Sequence, residues 1–70
     1  MQIVEITREP VELYKILKFE GLVTSGGEAK LLIADGQVTV NGEVETRRRR
    51  KMHSGDVIEF RGDQLQLKLV

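Results

Sequence analysis

The chain has 70 residues, a formal net charge of zero from 11 basic and 11 acidic side chains, and no cysteine. A chain of this length is expected to form a single domain over residues 1–70, with no disulfide and no thiolate metal site to reinforce it. No stretch approaches the roughly 20 apolar residues of a membrane span, and residues 1–5 lack the layout of a signal peptide. We therefore expect a cytoplasmic protein with no membrane partner.

The first third of the chain predicts a strand followed by a helix. Residues 3–6 are mostly apolar and indicate a short strand. Pro10 suits the first turn of a helix, because the N–H that it lacks would be unpaired there. Gly21 is placed to end that helix, which we expect over residues 11–20. Its core-facing residues share helical spacing and are Leu13, Ile16 and Leu17.

A second helix is predicted more sharply, over residues 26–35. Ser25 and Glu28 have the spacing of a capping box, in which the serine side chain accepts a hydrogen bond from the backbone three residues on. Gly36 is expected to close the helix in a left-handed conformation. The predicted apolar face consists of Ala29, Leu32 and Ile33.

The second half of the chain predicts strands. Two alternating segments at 38–40 and 43–45 flank Asn41-Gly42, which is a strong hairpin signal. A turn at 53–56 precedes a strand at 57–60, and residues 64–69 alternate with three leucines on one face. We therefore predict an α+β fold in which two short helices pack on a small, mainly antiparallel twisted sheet.

Five of the 11 basic residues are consecutive, at positions 47–51. Such a cluster is typical of a nucleic-acid binder, although a solvated loop is the alternative. If residues 44–52 were extended, Val44 and Met52 would face the core and the odd-numbered cations would face outward. On that argument the first-ranked nucleic-acid contacts are Arg47, Arg49 and Lys51, ahead of Arg48 and Arg50.

The second helix supplies further candidate contacts. Its first turn, at Ser25 and Gly26, could bind phosphate through free N–H groups, although Glu28 places a negative charge there and plain capping explains the serine equally well. Lys30 is expected to be exposed one turn later and to contact the same nucleic acid, with a solvated lysine as the alternative. Lys18 is a weaker candidate of the same kind.

The segment 25–42, which ends in Val-Thr-Val-Asn-Gly, resembles the RNA-binding domain named after ribosomal small-subunit protein four, also called the alpha-L motif. The similarity covers residues 10–60 and is greatest to small stand-alone bacterial members of that family. It implies a non-catalytic module that binds structured RNA, ribosomal or transfer RNA, through a basic patch. The family often has arginine at the position of Gly26, so one of its phosphate contacts is missing here.

Other classes of function fit less well. His53 is the lone histidine, and neither a nucleophilic triad nor a phosphate-binding Gly-Lys-Ser/Thr loop is present, so we expect no enzyme and no cofactor. A protein-interaction module with a ubiquitin-like, β-grasp surface is the alternative. The terminal residues 67–70 lack the Gly-Gly of a sulfur carrier. We expect a monomer with RNA as its partner.

Overall fold

Seven strands and two helices make up the chain in the computed structural model, which describes all residues from 1 to 70. The helices are α1 (Leu13–Phe19) and α2 (Gly26–Ala34). The strands are β1 (Gln2–Ile6), β2 (Val11–Glu12), β3 (Val38–Val40), β4 (Glu43–Val44), β5 (Lys51–Met52), β6 (Val57–Phe60) and β7 (Asp63–Leu69).

Five of the strands form one sheet in the order β1-β7-β6-β3-β4, and β2 pairs with β5 in a separate two-stranded ladder. Every strand pair is antiparallel except β1 with β7, which is parallel. The predicted α+β fold on a mainly antiparallel sheet is confirmed. The longer helix, α2, has nine residues, and neither helix is long and apolar enough to cross a membrane.

The core lies between the helices and one face of this sheet. On β6, Ile58 and Phe60 are buried while Glu59 between them is exposed, which is the alternation expected of a half-buried strand. On β7, Leu65 and Leu67 are buried, but Leu69 is 41% exposed because it lies at the end of the edge pair. The helices contribute Leu13, Ile16, Leu17, Ala29 and Ile33.

The first helix begins later than predicted. Residues 11 and 12 are in β2, where Val11 pairs with Met52, and Pro10 precedes that strand, so its predicted place in the first helical turn is wrong. A tertiary pairing of two residues overrides the local helical signal here. The end of the helix is as predicted, because Gly21 has a left-handed φ of 72° directly after the cap residue Glu20.

The second helix confirms the predicted cap. The Glu28 N–H donates to Ser25 Oγ at 3.1 Å. The Glu28 carboxylate accepts from the Thr24 N–H at 3.2 Å, one residue earlier than in the usual reciprocal box. Gly36 follows the helix with φ of 81°. Leu32 is only half-buried, whereas the other two predicted core residues are fully buried.

The predicted Asn-Gly hairpin joins β3 to β4. Asn41 and Gly42 have φ of 52° and 86°, which is the pair of positive values that a two-residue type I′ turn requires. The Asn41 side chain also donates to Asp56 at 3.1 Å and accepts from the Val57 N–H at 2.9 Å. These two hydrogen bonds attach the turn to the start of β6. After the turn, β4 leads into residues 47–51, which we call the basic segment.

Candidate nucleic-acid interface

Four residues of the basic segment, 47–50, fold as a turn rather than a strand, and the fifth, Lys51, is in β5. Between β4 and β5 the Arg50 N–H donates to the Arg47 carbonyl at 3.2 Å, and we call residues 47–50 the arginine turn. The predicted alternation across 44–52 is consequently wrong for Val44, which is 64% exposed. Met52 is fully buried, as predicted.

The residue buried in place of Val44 is its neighbour, Glu45, which is 6% exposed and is the single buried charged residue. Its carboxylate accepts from Arg47 Nε at 3.0 Å, from Arg47 Nη2 at 2.9 Å and from Arg50 Nη1 at 2.8 Å. It also accepts from the Arg47 backbone N–H at 2.9 Å. The Arg47 hydrogen bonds are the main cause that lowers the pKa of Glu45 from 4.5 to about 2, against the opposing effect of burial.

The arginine turn is also attached to the start of α1. The Leu13 N–H donates to the Arg50 carbonyl at 2.9 Å, and the Tyr14 N–H donates to the Arg48 carbonyl at 3.2 Å. These are two of the backbone donors that the first turn of a helix leaves without an internal partner. The Arg48 and Arg50 carbonyls thus face the helix, and these two bonds hold the basic segment in one orientation.

The basic side chains differ in how far they are engaged. Arg47 and Arg49 are each 72% exposed, whereas Arg50 is 30% exposed and held by Glu45. Arg48 and Lys51 are exposed and have no carboxylate within 4 Å. The inward direction that strand alternation predicts for Arg48 is wrong, because a turn does not alternate its side chains between two faces, whereas Arg50 is partly buried as predicted.

Lys30 lies beside the arginine turn, and it is partly buried rather than fully exposed as predicted. A concave surface of about 370 Å³ is lined by Lys30, Thr46, Arg47, Arg48 and Arg49. A second one of about 570 Å³ is lined by Arg47, Arg49, Arg50 and Lys51. No acidic or apolar residue lines either surface. We call these residues together the basic surface.

The ring of Tyr14 connects the basic surface to the start of α2. Lys30 Nζ lies 4.6 Å from the centre of this ring, within the range of a cation–π contact. A Cβ added at Gly26 would lie 3.6 Å from the ring, so the tyrosine covers that glycine. Ser25 already accepts the Glu28 N–H, so its capping role is observed.

Lys18 is not brought to the basic surface. It lines a separate groove of about 800 Å³ between β1 and α1, together with Arg8 and Lys15. Although this groove is larger than the two concave parts of the basic surface, three acidic residues line it as well, so its charge is balanced and it lacks the uniform sign of the basic surface. Those residues are Glu5, Glu12 and Glu20.

Three residues of this region were missed in the sequence: Tyr14, Glu45 and Thr46. The signal for Glu45 is its position two and five residues before arginines, which allows one carboxylate to accept from both. His53 lies in a turn, as expected, with its N–H donating to Asp56 at 2.8 Å. No group of three or more metal-ligating side chains is present.

The S4 domain family model matches residues 4–68. The chain is 49% identical over 57 residues to the Escherichia coli protein named "Putative RNA-binding protein YbcJ", with 81% of each chain covered. It is 39% identical over 59 residues to "Probable ribosome maturation protein RlbA" of Bacillus subtilis, with 84% of this chain and 83% of the relative covered.

A solved structure is similar over almost the whole chain. The solution structure of E. coli YbcJ, described as having an alpha-L motif involved in RNA binding, matches with a TM-score of 0.74 and 43% identity. The match covers 97% of this chain and 87% of the other. The resemblance to the alpha-L family drawn from residues 10–60 is therefore confirmed.

Proposed function

Because this chain belongs to the S4 domain family, we propose that it binds the phosphate backbone of structured RNA through its basic surface. The observation that carries the proposal is the pair of concave surfaces lined by Lys30, Thr46 and residues 47–51, without any acidic side chain. A concentrated positive potential attracts a polyanion even when the whole protein is neutral. The relatives whose names or descriptions mention RNA binding support the same function.

The individual cations have different parts in this proposal. Arg48, Arg49, Lys51 and Lys30 are the principal phosphate contacts, since none is bonded to Glu45, although Arg49 lies 3.8 Å from the Glu12 carboxylate in a solvent-exposed ion pair. Arg47 can donate to phosphate through the guanidinium N–H groups that do not bond to Glu45. Arg50, in contrast, chiefly supports the turn through its own bond to Glu45. Phosphate contact by Ser25 and Gly26 stays a prediction, since neither residue lines the basic surface and the Tyr14 ring covers the glycine. RNA contact by Lys18 stays a prediction for a separate groove.

The RNA class that we propose is ribosomal RNA, with transfer RNA as the other structured candidate. The name of the B. subtilis relative connects that protein with ribosome maturation. A surface fixed by a buried carboxylate and a helix start is rigid, which suits recognition of RNA by shape and backbone. We propose binding without catalysis.

The first test is the salt dependence of RNA affinity, measured by fluorescence anisotropy with a ribosomal RNA hairpin. If about five cations contact phosphate, the log–log slope against salt should be about −3 to −5. Replacing Arg48, Arg49 and Lys51 with glutamine should make the slope shallower by about 2 to 3 and weaken binding at least about tenfold. Arg47 is left in place so that Glu45 keeps its partner.

The matched control removes three exposed charges elsewhere, at Arg8, Arg61 and Lys68. It should leave the slope within about one unit of the parent value. Binding that is independent of salt, or an equal loss in both triple variants, would refute the proposal. Crosslinking in cells with sequencing should recover ribosomal RNA, whereas partners that all persist after ribonuclease digestion would favour the protein-interaction alternative.

A further inference from the structure

We propose that Lys30, Thr46 and the outward backbone of the arginine turn form a discrete site for one tetrahedral phosphate group of the RNA. This inference rests on the proposed function and makes it specific, because it assigns a hydroxyl and backbone donors to a subsite that charge alone does not define. The site is the smaller concave surface, of about 370 Å³.

Thr46 is the residue that distinguishes this subsite from a simple cluster of cations. It is exposed between Glu45 and the arginine turn, and its hydroxyl makes no hydrogen bond within the protein. The other four residues of the concave surface are all cationic. A hydroxyl that can donate, surrounded by cations, matches the requirements of a phosphate oxygen.

The peptide groups of the turn add donors to the subsite. The N–H of one residue points opposite to the carbonyl of the residue before it, because the two share a planar trans peptide. The Arg48 carbonyl faces α1 and accepts from Tyr14, so the Arg49 N–H points away from the helix. Neither the Arg48 nor the Arg49 N–H has an acceptor in the protein. Successive free N–H groups in a turn form an anion-binding concavity.

The side chains around the subsite are held before any ligand arrives. Glu45 engages Nε and Nη2 of Arg47, which fixes the plane of that guanidinium. Lys30 Nζ is held 4.6 Å from the centre of the Tyr14 ring, and the Tyr14 N–H is itself bonded to the turn. Ligand binding therefore orders fewer side chains than binding to free surface lysines would.

The subsite is tested with inorganic phosphate as the probe, added to the whole protein at constant ionic strength against chloride. Amide resonances of Thr46, Arg48 and Arg49 should shift saturably in NMR spectra. The Thr46→Val variant should lose saturation, and Thr46→Ser, which keeps the hydroxyl, should retain it. Thr7→Val is the matched control, since Thr7 is an exposed threonine that does not line the subsite.

RNA affinity gives the second readout. Thr46→Val and Lys30→Met should each weaken RNA binding about fivefold, whereas Lys68→Met on β7 should change it less than about twofold. The same measurement with 5′-phosphorylated and 5′-hydroxyl RNA separates two sources of the phosphate. An equal loss with both RNAs assigns an internal phosphodiester, and a loss confined to the phosphorylated RNA assigns the terminal group.

Shifts that do not saturate, or that are unchanged in both Thr46→Val and Lys30→Met, would show ionic screening alone and overturn the subsite. The proposed function would survive that result if the Arg48/Arg49/Lys51 triple variant still lost RNA affinity and salt dependence. If instead that triple variant bound RNA normally, the proposed RNA surface itself would fall, whatever inorganic phosphate did.

Discussion

Glu45 is the residue that converts a run of like charges into a defined surface. Five adjacent cations repel one another, and a carboxylate that accepts from Arg47 and Arg50 offsets part of that repulsion from within the turn. The Glu45 carboxylate binds guanidinium N–H groups of Arg47 and Arg50, and it leaves Arg48 and Arg49 exposed to water. Burial of one negative charge therefore sharpens the positive surface rather than cancelling it.

Replacing Glu45 with glutamine should lower the free energy of unfolding at pH 7 and flatten its dependence on acid. A pKa of about 2 in the folded protein, below the 4.5 of the free carboxyl, contributes stability above pH 4.5 that is lost as the pH falls towards 2. The wild-type protein should lose about 1 to 2 kcal/mol over that window, less than the full shift would give, because Arg47 is 72% exposed and solvent screens its charge. Urea unfolding at several pH values measures it.

Glu43 provides the control for this prediction, because it is an exposed glutamate two residues away with no cation within 4 Å. Glu43→Gln should keep the wild-type profile between pH 4.5 and 2. If Glu45→Gln and Glu43→Gln gave the same acid profile, the buried ion pairs would not be the source of the dependence.

At the scale of elements, alanine substitutions at two glycines distinguish the effect of backbone conformation on stability from the effect of packing. Gly42 has a left-handed φ of 86° in the β3–β4 turn, and a Cβ there would meet no atom within 4 Å. Alanine should therefore destabilise the protein by about 1 kcal/mol through backbone strain alone. Gly27 is helical and open, with its nearest atom 3.8 Å from an added Cβ, so alanine should stabilise by about 0.5 kcal/mol.

Thermal or urea unfolding of Gly42→Ala and Gly27→Ala measures this difference in sign. The two variants add the same methyl group to an exposed or nearly exposed backbone, so they differ chiefly in the φ that the residue must adopt. Equal effects on stability would contradict the assignment of the turn at Gly42.

The elements that the sequence predicts well are those specified by local chemistry. The α2 cap, the Asn41-Gly42 turn and the glycine ends of both helices each depend on a few neighbouring residues. The β2–β5 ladder depends on contact between residues about 40 positions apart, and periodicity carries no information on it. The burial of Glu45 was not predicted for a different reason: its contacts with Arg47 and Arg50 are local, but they need the turn at 47–50, where the sequence favoured an extended strand.

On the scale of the whole molecule, the basic surface lies on the helix-covered side of the sheet. The opposite side of the sheet, which we call the outer face, is exposed to solvent. The helices cover the face that buries Ile58 and Phe60, and the arginine turn is bonded to the start of α1 on that side. Glu59 lies on the opposite face of β6. The shortest extent of the Cα trace is 18 Å, about twice the distance over which physiological salt screens a charge. Net charge and local potential are therefore separable in this protein.

Two single substitutions that change net charge by one unit should consequently have unequal effects on RNA binding. Glu59→Gln makes the protein more positive on the outer face and should change affinity less than about twofold at 0.15 M salt. Arg48→Gln makes it more negative at the turn and should weaken binding about fivefold, with a salt slope shallower by about 0.7 to 0.9. Titrations at several salt concentrations measure both quantities. If Glu59→Gln tightened binding as much as Arg48→Gln weakened it, total charge rather than the arginine turn would govern recognition.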